Sequence, residues 1–305
     1  MDKHILTLLD LEKADFETLF QRAIELKERY RKGITEKTLA GKTLGLIFEK
    51  PSTRTRVSFE AAMVQLGGTP IFISAKDTQI VRNEPVRDTA RVLSRFIDAM
   101  AIRTFSQDLL NGFAEYSDIP VINALTDLFH PCQILSDLLT VIEHKGGYDG
   151  MKIAWIGDGN NVANSWINAA TVLGLDLVLA CPKGYEPHLS MLEGRKVVVT
   201  NDPKDAARNA DVIYTDVWAS MGQEGEQILR KKVFYPFQVN ASLVKEAKKD
   251  AVVMHCLPAH RGEEISEEVL EGPQSIVWDQ AENKMHMHKA ILEILILKKG
   301  DDTGV

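Results

Sequence analysis

Cysteine is scarce in this chain, and the three residues present, Cys132, Cys181 and Cys256, are odd in number and widely spaced. Such a set does not form the dense framework of a small disulfide-rich secreted protein, so reduced thiols and a cytoplasmic location are expected. The chain also lacks any run of about 18 apolar residues, which excludes an ordinary membrane-spanning helix. Its first residues, MDKHILTLLDLEKADFE, are charged too often for a signal peptide.

Positive charge is also in short supply, because 36 lysines and arginines face 43 aspartates and glutamates, a net charge of −7. The chain therefore has no general attraction for nucleic acid or anionic lipid, and an anionic ligand must be bound by a local site. Low-complexity tracts and internal repeats are missing. A length of 305 residues predicts two domains, each large enough to bury a core.

Short β-rich runs alternate with helical patterns in the first half of the chain. A first helix is predicted from Asp15, as its N-cap, to about Arg31, with Gly33 ending it. Strands are predicted at 43–48, 70–74, 99–104 and 121–125, and further helices at about 54–66, 91–96 and 134–145. This alternation predicts a mostly parallel sheet with helices on both faces.

The alternation restarts after a break at GGYDG (146–150), which predicts a second sheet of the same class. Its strands are predicted at 151–157, 175–181, 196–200, 211–215 and 251–256, and an apolar final helix at 281–299. The expected fold is α/β, with two domains, each a mostly parallel sheet flanked by helices, and an active site in the cleft between them. The expected domains are residues 1–133, joined by the C-terminal helix 287–305, and residues 134–286.

Open parallel sheets bind ligands beyond the carboxyl ends of their strands, so the residues there are the first candidates. After strand TLGLIF, Pro51 ends the extended stretch, and a helix opens with Ser52, Thr53, Arg54 and Thr55. Free backbone N–H groups, hydroxyls and an arginine fork, from Arg54 or Arg56, suit a compact dianion. The alternative is a helix-capping run with exposed arginines.

Two later strand ends carry further polar groups. Arg103 ends strand AMAIRT, and His130 and Gln133 are predicted in the loop after strand VINAL. Each alone is a weak signal, since a single histidine is more often structural. Jointly they indicate a phosphate-bearing substrate with a carbonyl nearby, whose oxygen Arg103 and His130 can polarise.

In the second half, WIGDGNNVANSW resembles a dinucleotide-binding loop but lacks the third glycine, and Asp176 is an uncertain ribose partner. Asn161 is better interpreted as a polar contact at the sheet edge. The loop DVWASMG offers a carboxylate and small polar groups that suit a zwitterionic amino acid, from Asp216, Ser220, Met221 and Gly222. An acidic surface turn is the alternative.

The last strand ends at Cys256, with His255, His260 and Arg261 nearby. The spacing lacks the CxxC or HxxxH patterns of zinc sites, so no metal is expected. A cysteine nucleophile would need an activating base, which the local spacing does not demonstrate. Structural burial of Cys256 is a further alternative.

Five segments, in order along nearly the whole chain, resemble the ornithine carbamoyltransferase family: STRTR (52–56), DTQI (77–80), HPCQ (130–133), DVWASMG (216–222) and HCLPAHRG (255–262). STRTR and HP-x-Q are shared with the aspartate-specific enzymes of the wider family. The SMG and HCLP segments resemble the ornithine type. The resemblance implies carbamoyl phosphate and L-ornithine as ligands, with the first domain binding the former and the second the latter.

The resemblance also implies roles for individual residues. The phosphate would be held by Ser52, Thr53, Arg54 and Thr55, and the carbamoyl end by Arg103, His130 and Gln133. Gln79 would complete that site, close to loops of a neighbouring subunit, so a homotrimer or a multiple of trimers is implied. Lys284 stands where the family usually has arginine. Lysine keeps the positive charge but lacks the planar fork of the guanidinium, which leaves the role of this position open.

For the second substrate, the resemblance implies that ornithine is bound by Asn161, Asp216, Ser220 and Met221. Cys256 and Leu257 would line the place where its amine meets the carbamoyl carbon. The expected catalytic groups are Arg103, His130, Asp216 and Cys256, with no cofactor, no nucleic acid and no membrane involved. The remaining alternatives are a carbamoyltransferase acting on putrescine or another amine and, more remotely, a dinucleotide-dependent oxidoreductase or a noncatalytic regulatory or scaffold protein.

Overall fold

The computed structural model describes residues 3–74, 76, 78, 83–219 and 224–301. The chain divides into two units, Met1–Leu139 with Asn283–Val305, and Thr140–Glu282. Each unit contains its own sheet, and every strand pairing in both sheets is parallel. The predicted α/β class is therefore confirmed.

The first sheet has the strand order β2-β1-β3-β4. Its strands are β1 (Thr43–Phe48), β2 (Thr69–Ser74), β3 (Ala99–Arg103) and β4 (Val121–Leu125). Phe48, the last residue of β1, pairs with Ser74 and with Arg103, so three strands end at one level. All of β3 and nearly all of β1 are buried, as expected for central strands covered on both faces.

Helices of the first unit follow the strands in alternation. They are α1 (Lys13–Arg31), α2 (Thr53–Gln65), α3 (Val86–Leu93), α4 (Gln107–Tyr116) and α5 (Pro131–Lys145), the last of which continues into the second unit. The prediction of Asp15 as N-cap is wrong, because α1 begins two residues earlier and Asp15 instead accepts the Glu12 N–H at 3.0 Å. Helix α4 was not predicted, although Ser106 caps it by accepting the Leu109 N–H.

The second sheet has the order β7-β6-β5-β8-β9. Its strands are β5 (Lys152–Ile156), β6 (Asp176–Ala180), β7 (Val198–Thr200), β8 (Val212–Thr215) and β9 (Val252–His255). The helices that follow are α6 (Asn161–Leu173), α7 (Leu189–Leu192), α8 (Pro203–Ala207), α9 (Gln227–Phe234), α10 (Ala241–Val244), α11 (Glu267–Leu270) and α12 (Val277–Asp301). Helix α12 starts four residues before the predicted position and continues into the first unit.

The strand order of each sheet reverses at one point. In the first sheet β1 has β2 on one side and β3 on the other, and in the second sheet β5 lies between β6 and β8. The connections leaving the carboxyl ends there diverge and open a crevice, which is where α/β sheets bind ligands. None of the described helices combines the length and the apolar character needed to cross a bilayer.

Candidate functional site

The crevice of the first sheet is bordered by residues that we call the anion half-site: Ser52–Thr55, Arg103, His130, Gln133 and Lys284. Ser52 follows β1 in an extended conformation and is the N-cap of α2, but its hydroxyl makes no capping hydrogen bond. The first turn of α2 therefore presents backbone N–H groups and hydroxyls that the helix itself does not use. Together with the positive end of the helix dipole, this turn suits an anion.

The segment leading into that turn is fixed by contacts that the sequence did not reveal. The Glu49 N–H donates to the Arg103 carbonyl at 2.8 Å, and its carboxylate accepts from the Thr104 hydroxyl and from the Phe105 N–H. Lys50 is buried, pairs with Asp127 and lies 4.1 Å from the Phe105 ring centroid. The ends of β1 and β3 are thereby held together immediately before α2.

Arg103 and His130 are both buried, as is Thr55. Burial, followed by the charges of Lys284 and Arg103 and the nearby His288, holds the pKa of His130 well below its ordinary value of 6.5. His130 is therefore a neutral imidazole at pH 7 that carries one ring N–H. A buried guanidinium and a neutral imidazole suit an oxygen that gains negative charge.

Gln133 does not lie in a loop, as the sequence suggested, because Pro131 begins α5 and places Gln133 in the first helical turn. Its buried side chain accepts from Lys284 Nζ at 2.9 Å and donates to Asp137 at 2.8 Å. Lys284, the position whose role was open, is thus a buried cation on α12 that holds Gln133.

The second sheet has its own group of residues at its carboxyl ends, which we call the carboxylate half-site: Asn160, Asp216, His255, Cys256 and Leu257. Asp216 follows β8 and is buried. Its carboxylate accepts from Asn160 Nδ2 at 2.8 Å, from the Val217 N–H at 2.8 Å and from the Cys256 thiol at 3.0 Å. These donors orient the carboxylate and offset the cost of burying its charge.

Asn160 is a functional candidate that sequence reasoning missed in favour of its neighbour Asn161. Asn160 is the N-cap of α6, where its side-chain oxygen accepts from the N–H groups of Val162 and Ala163 while its amide donates to Asp216. An asparagine directly before an apolar helical run is the signal that identifies such a cap. Asn161 lies in the first turn of α6 and is partly exposed.

Gly159, in the GDGNN loop, has a packing role. A Cβ added to Gly159 would lie 2.3 Å from the Pro187 nitrogen and 2.5 Å from the Glu186 carbonyl carbon, which no side chain tolerates. The glycine is therefore required by close backbone approach, independently of any nucleotide.

The turn after β9 is held by a chain of hydrogen bonds. The His255 N–H donates to Gln280 Oε1, the Leu257 N–H donates to His255 Nδ1 at 2.8 Å, and His255 Nε2 lies 3.0 Å from Glu264 Oε1. Nδ1 must be the unprotonated nitrogen, so Nε2 carries the proton and donates to Glu264. Leu257 has a φ of 58°, a region that non-glycine residues rarely adopt, and these bonds hold it there.

Asp216, His255 and Cys256 have potential metal-ligand atoms within 4.8 Å of one another. Both His255 nitrogens are engaged, so metal binding would require breaking the bond to Leu257 or the bond to Glu264. The carboxylate of Asp216 and the thiol of Cys256, which are hydrogen-bonded to each other, suit an amine or ammonium group.

Several predicted residues are not tested by this geometry. Gln79, Ser220 and Met221 lie outside the described residues. Arg54 is exposed in the first turn of α2 and forms no hydrogen bond or ion pair with any described residue.

Comparison with known proteins gives the same assignment over both units. The family model described as aspartate/ornithine carbamoyltransferase, carbamoyl-P binding domain, matches residues 3–143, and the one described as Asp/Orn binding domain matches residues 149–295. The curated ornithine carbamoyltransferase of Desulfotalea psychrophila is 58% identical over 96% of this chain and 99% of its own length. That of Syntrophus aciditrophicus is 57% identical over 97% of this chain and 100% of its own.

Solved structures agree with the sequence relatives. The ornithine carbamoyltransferase from Pyrococcus furiosus has a TM-score of 0.91 and 49% identity, covering 95% of each chain. The one from Thermus thermophilus has a TM-score of 0.89 and 43% identity, covering 97% of this chain and 99% of its own. This chain belongs to the aspartate/ornithine carbamoyltransferase family.

Proposed function

We propose that this chain transfers the carbamoyl group of carbamoyl phosphate to the side-chain amine of L-ornithine, giving L-citrulline and phosphate. The observation that carries the proposal is the identity of over half the residues with curated ornithine carbamoyltransferases across nearly the whole chain. The chemistry of the two half-sites agrees with it, since one suits an anion and the other an amine.

In this proposal the anion half-site binds carbamoyl phosphate. Ser52, Thr53, Arg54 and Thr55 hold the phosphate with backbone N–H groups, hydroxyls and a guanidinium. Arg103 and His130 hold the carbamoyl oxygen, and Gln133 holds the carbamoyl end. Lys284 contributes through Gln133, to which its ammonium donates at 2.9 Å. The binding residues proposed for carbamoyl phosphate are completed by Gln79, Cys256 and Leu257.

The carboxylate half-site orients the amine of ornithine through Asp216 and Cys256. Asn161, Ser220 and Met221 bind the amino-acid end. Deprotonating an amine with a pKa near 10.4 at pH 7 costs about 4 to 5 kcal/mol, so exclusion of water around it must offset part of that cost. Positioning the neutral amine against the carbamoyl carbon supplies much of the remaining rate acceleration.

The reaction proceeds by direct attack. The amine nitrogen forms a bond to the carbamoyl carbon, and the resulting oxyanion is stabilised by Arg103, His130 and the Thr55 hydroxyl. The tetrahedral centre collapses by breaking the bond to the phosphate oxygen, and the nitrogen passes its extra proton to the departing phosphate. Phosphate is then released from the first turn of α2. This route needs no covalent enzyme intermediate, metal or organic cofactor.

The proposed assembly is a homotrimer or a multiple of trimers in the cytoplasm. Apolar side chains exposed on α2 and the edge strand β2 support association: Val57, Val64, Ile71 and Phe72. Light scattering should give a mass near three times 34.0 kDa or a multiple of that value. The three cysteines are free, which agrees with a reducing compartment.

A ureido-product assay tests the activity. The chain is supplied with carbamoyl phosphate and, in parallel reactions, with ornithine, putrescine, aspartate or lysine. We expect product with ornithine far above the other three amines. Faster turnover of putrescine would reassign the substrate, and no product with any amine would overturn carbamoyl transfer.

A further inference from the structure

His288 on α12 is a fully buried side chain to which the proposed reaction gives no role. Its ring stacks on Phe59 of α2 with centroids 3.6 Å apart and an angle of 10° between the planes. Its Nδ1 lies 3.0 Å from the hydroxyl of Ser58, the residue preceding Phe59. The imidazole is therefore attached to α2 by both a ring contact and a polar contact.

The hydrogen-bond pattern indicates where the proton of His288 lies. The Ser58 hydroxyl donates to the Thr55 carbonyl at 3.0 Å, and a hydroxyl has only one proton to donate. Both hydrogen bonds of the Ser58 hydroxyl form together only when His288 Nδ1 donates to the Ser58 oxygen. Burial, and to a lesser extent the Lys284 ammonium, hold the pKa of His288 well below 6.5, so the ring is neutral with its proton on Nδ1.

This chain of bonds ends in the turn that is proposed to bind phosphate. It runs from His288 through Ser58 to the carbonyl of Thr55, in the first turn of α2. Thr55 is itself buried, so the turn rests against the interior of the first unit. Small displacements of substrate-positioning groups cost large factors in rate and binding.

We propose that His288 is a positioning residue for the anion half-site. Its Nδ1–H holds the Ser58 hydroxyl, and through it the Thr55 carbonyl, so that the first turn of α2 keeps the geometry that binds phosphate. The inference rests on the proposed function, because it assigns His288 to the binding of carbamoyl phosphate. His288 acts through Ser58 and touches no reacting atom.

Three variants of the full chain test the donor. His288→Leu fills the space without a donor, Ser58→Ala removes the connecting hydroxyl, and His288→Asn retains an N–H close to the position of Nδ1. We expect His288→Leu and Ser58→Ala each to raise the KM for carbamoyl phosphate about tenfold, equivalent to about 1.4 kcal/mol. The double variant should show no more than the larger single effect, and His288→Asn should recover most of the wild-type KM.

His286 supplies a matched control on the same helix. It is also fully buried, and its ring contacts Tyr30 on α1, at 5.7 Å between centroids. His286→Leu should lower the thermal unfolding temperature to a similar extent as His288→Leu while leaving the KM for carbamoyl phosphate within twofold of wild type. A structural role alone would give the two leucine variants the same pattern.

Calorimetric titration with inorganic phosphate separates this inference from the proposed reaction, since it needs no turnover. We expect the dissociation constant for phosphate to rise in His288→Leu and Ser58→Ala. In His288→Asn and His286→Leu it should stay close to the wild-type value. A wild-type chain that binds phosphate but makes no citrulline would overturn the reaction and leave the His288 effect measurable. Unchanged phosphate affinity and KM in both His288→Leu and Ser58→Ala, or failure of His288→Asn to recover them, would overturn the positioning role.

Discussion

The anion half-site and the carboxylate half-site occupy equivalent places in their own sheets but bury opposite charges. In the first unit, the buried groups are the cations Arg103, at the end of β3, and Lys284, on α12, together with His130, which is kept neutral. In the second unit, the strand ends carry the buried carboxylate of Asp216, which receives three hydrogen bonds. The overall charge of −7 therefore reveals nothing about either site.

The difference in buried charge between the two half-sites shows how a parallel sheet is adapted to a ligand. The crevice at the carboxyl ends comes from the strand order, whereas its charge comes from the few residues that follow each strand. The anion half-site adds the first turn of a helix, which supplies N–H groups and a dipole of the required sign. In the carboxylate half-site, the charge comes from the side chain of Asp216. Asn160, the N-cap of α6, orients that side chain by donating a hydrogen bond to it.

The largest expected effect comes from removing the exposed cation of the anion half-site. Arg54→Gln should lower kcat/KM for carbamoyl phosphate by at least about 100-fold, because a charge-assisted contact to phosphate is lost. Stability to urea should change by less than about 0.5 kcal/mol, since Arg54 has no partner among the described residues. Steady-state kinetics and urea unfolding measure the two quantities.

Arg56→Gln is the matched comparison for Arg54. The Arg56 guanidinium already donates to Glu60 at 2.9 Å and lies 3.6 Å from the centroid of the Phe72 ring. Its loss should reduce kcat/KM much less. Equal losses for the two arginines would contradict the assignment of phosphate contact to Arg54.

Removing the charge of the carboxylate half-site should give the next largest effect. Asp216→Asn should raise the KM for ornithine by about 100-fold, on the order of 3 kcal/mol, and leave phosphate affinity within twofold. Cys256→Ala should have a smaller effect on ornithine because a thiol is a weak donor. Equal losses for ornithine and phosphate would show that Asp216 supports the fold instead of the amine.

Acid should affect the two units in opposite directions. His130 and His288 have pKa values well below 6.5, so the unfolded chain binds their protons first and stability falls as pH drops below 6.5. The slope is at most about 1.4 kcal/mol per pH unit for each histidine. In the second unit, burial raises the pKa of Asp158 to about 6, despite its ion pair with Arg230. Because the folded chain then binds this proton before the unfolded chain does, Asp158 favours the folded state as pH falls from 6 toward 3.8.

Urea unfolding at several pH values separates these contributions. The wild-type curve minus that of His288→Asn should decline below pH 6.5, whereas the wild-type curve minus that of Asp158→Asn should rise over the same range. If both stability differences changed in the same direction with pH, the opposite contributions of His288 and Asp158 would be contradicted.

The smallest effect is expected at Lys284. Lys284→Arg keeps a cation able to donate to Gln133 Oε1, so the KM for carbamoyl phosphate should change by less than about threefold. Lys284→Met removes the donor and should raise this KM several times more. A large loss with arginine would mean that the compact ammonium is required, and an unchanged KM with methionine would remove Lys284 from the site.

Most strands and the residues following them were predictable, because apolar β-rich runs and their polar ends are local features. Strands β1 and β3 to β9 lie within the predicted ranges, and β2 begins one residue before its range. Arg103, His130, Asp216 and Cys256 lie at strand ends or in the segments that follow them. Helix boundaries were less accurate, since the capping box at Glu12 and the proline that begins α5 at Pro131 are not shown by the periodicity.

Long-range partners were beyond sequence reasoning. Lys284 bonds to a residue 151 positions away, and His288 to one 230 positions away. The sequence shows each of these polar residues in a helical pattern without showing which helix packs against it. Asn160 was missed for a different reason, because its second contact, to Asp216, joins two strand ends that are adjacent only in the folded sheet.

The amino-acid sequence by itself determined the class of each sheet, the positions of its strands and the residues that follow them, because hydrophobic periodicity and helix-opening motifs act over a few neighbouring residues. Only the tertiary structure decided which protonation states and side-chain orientations these residues have. The neutral state of His130 and His288, the three donors to Asp216 and the engagement of Gln133 by Lys284 all depend on burial and on partners from other elements, since desolvation and hydrogen bonding act through space and not along the chain.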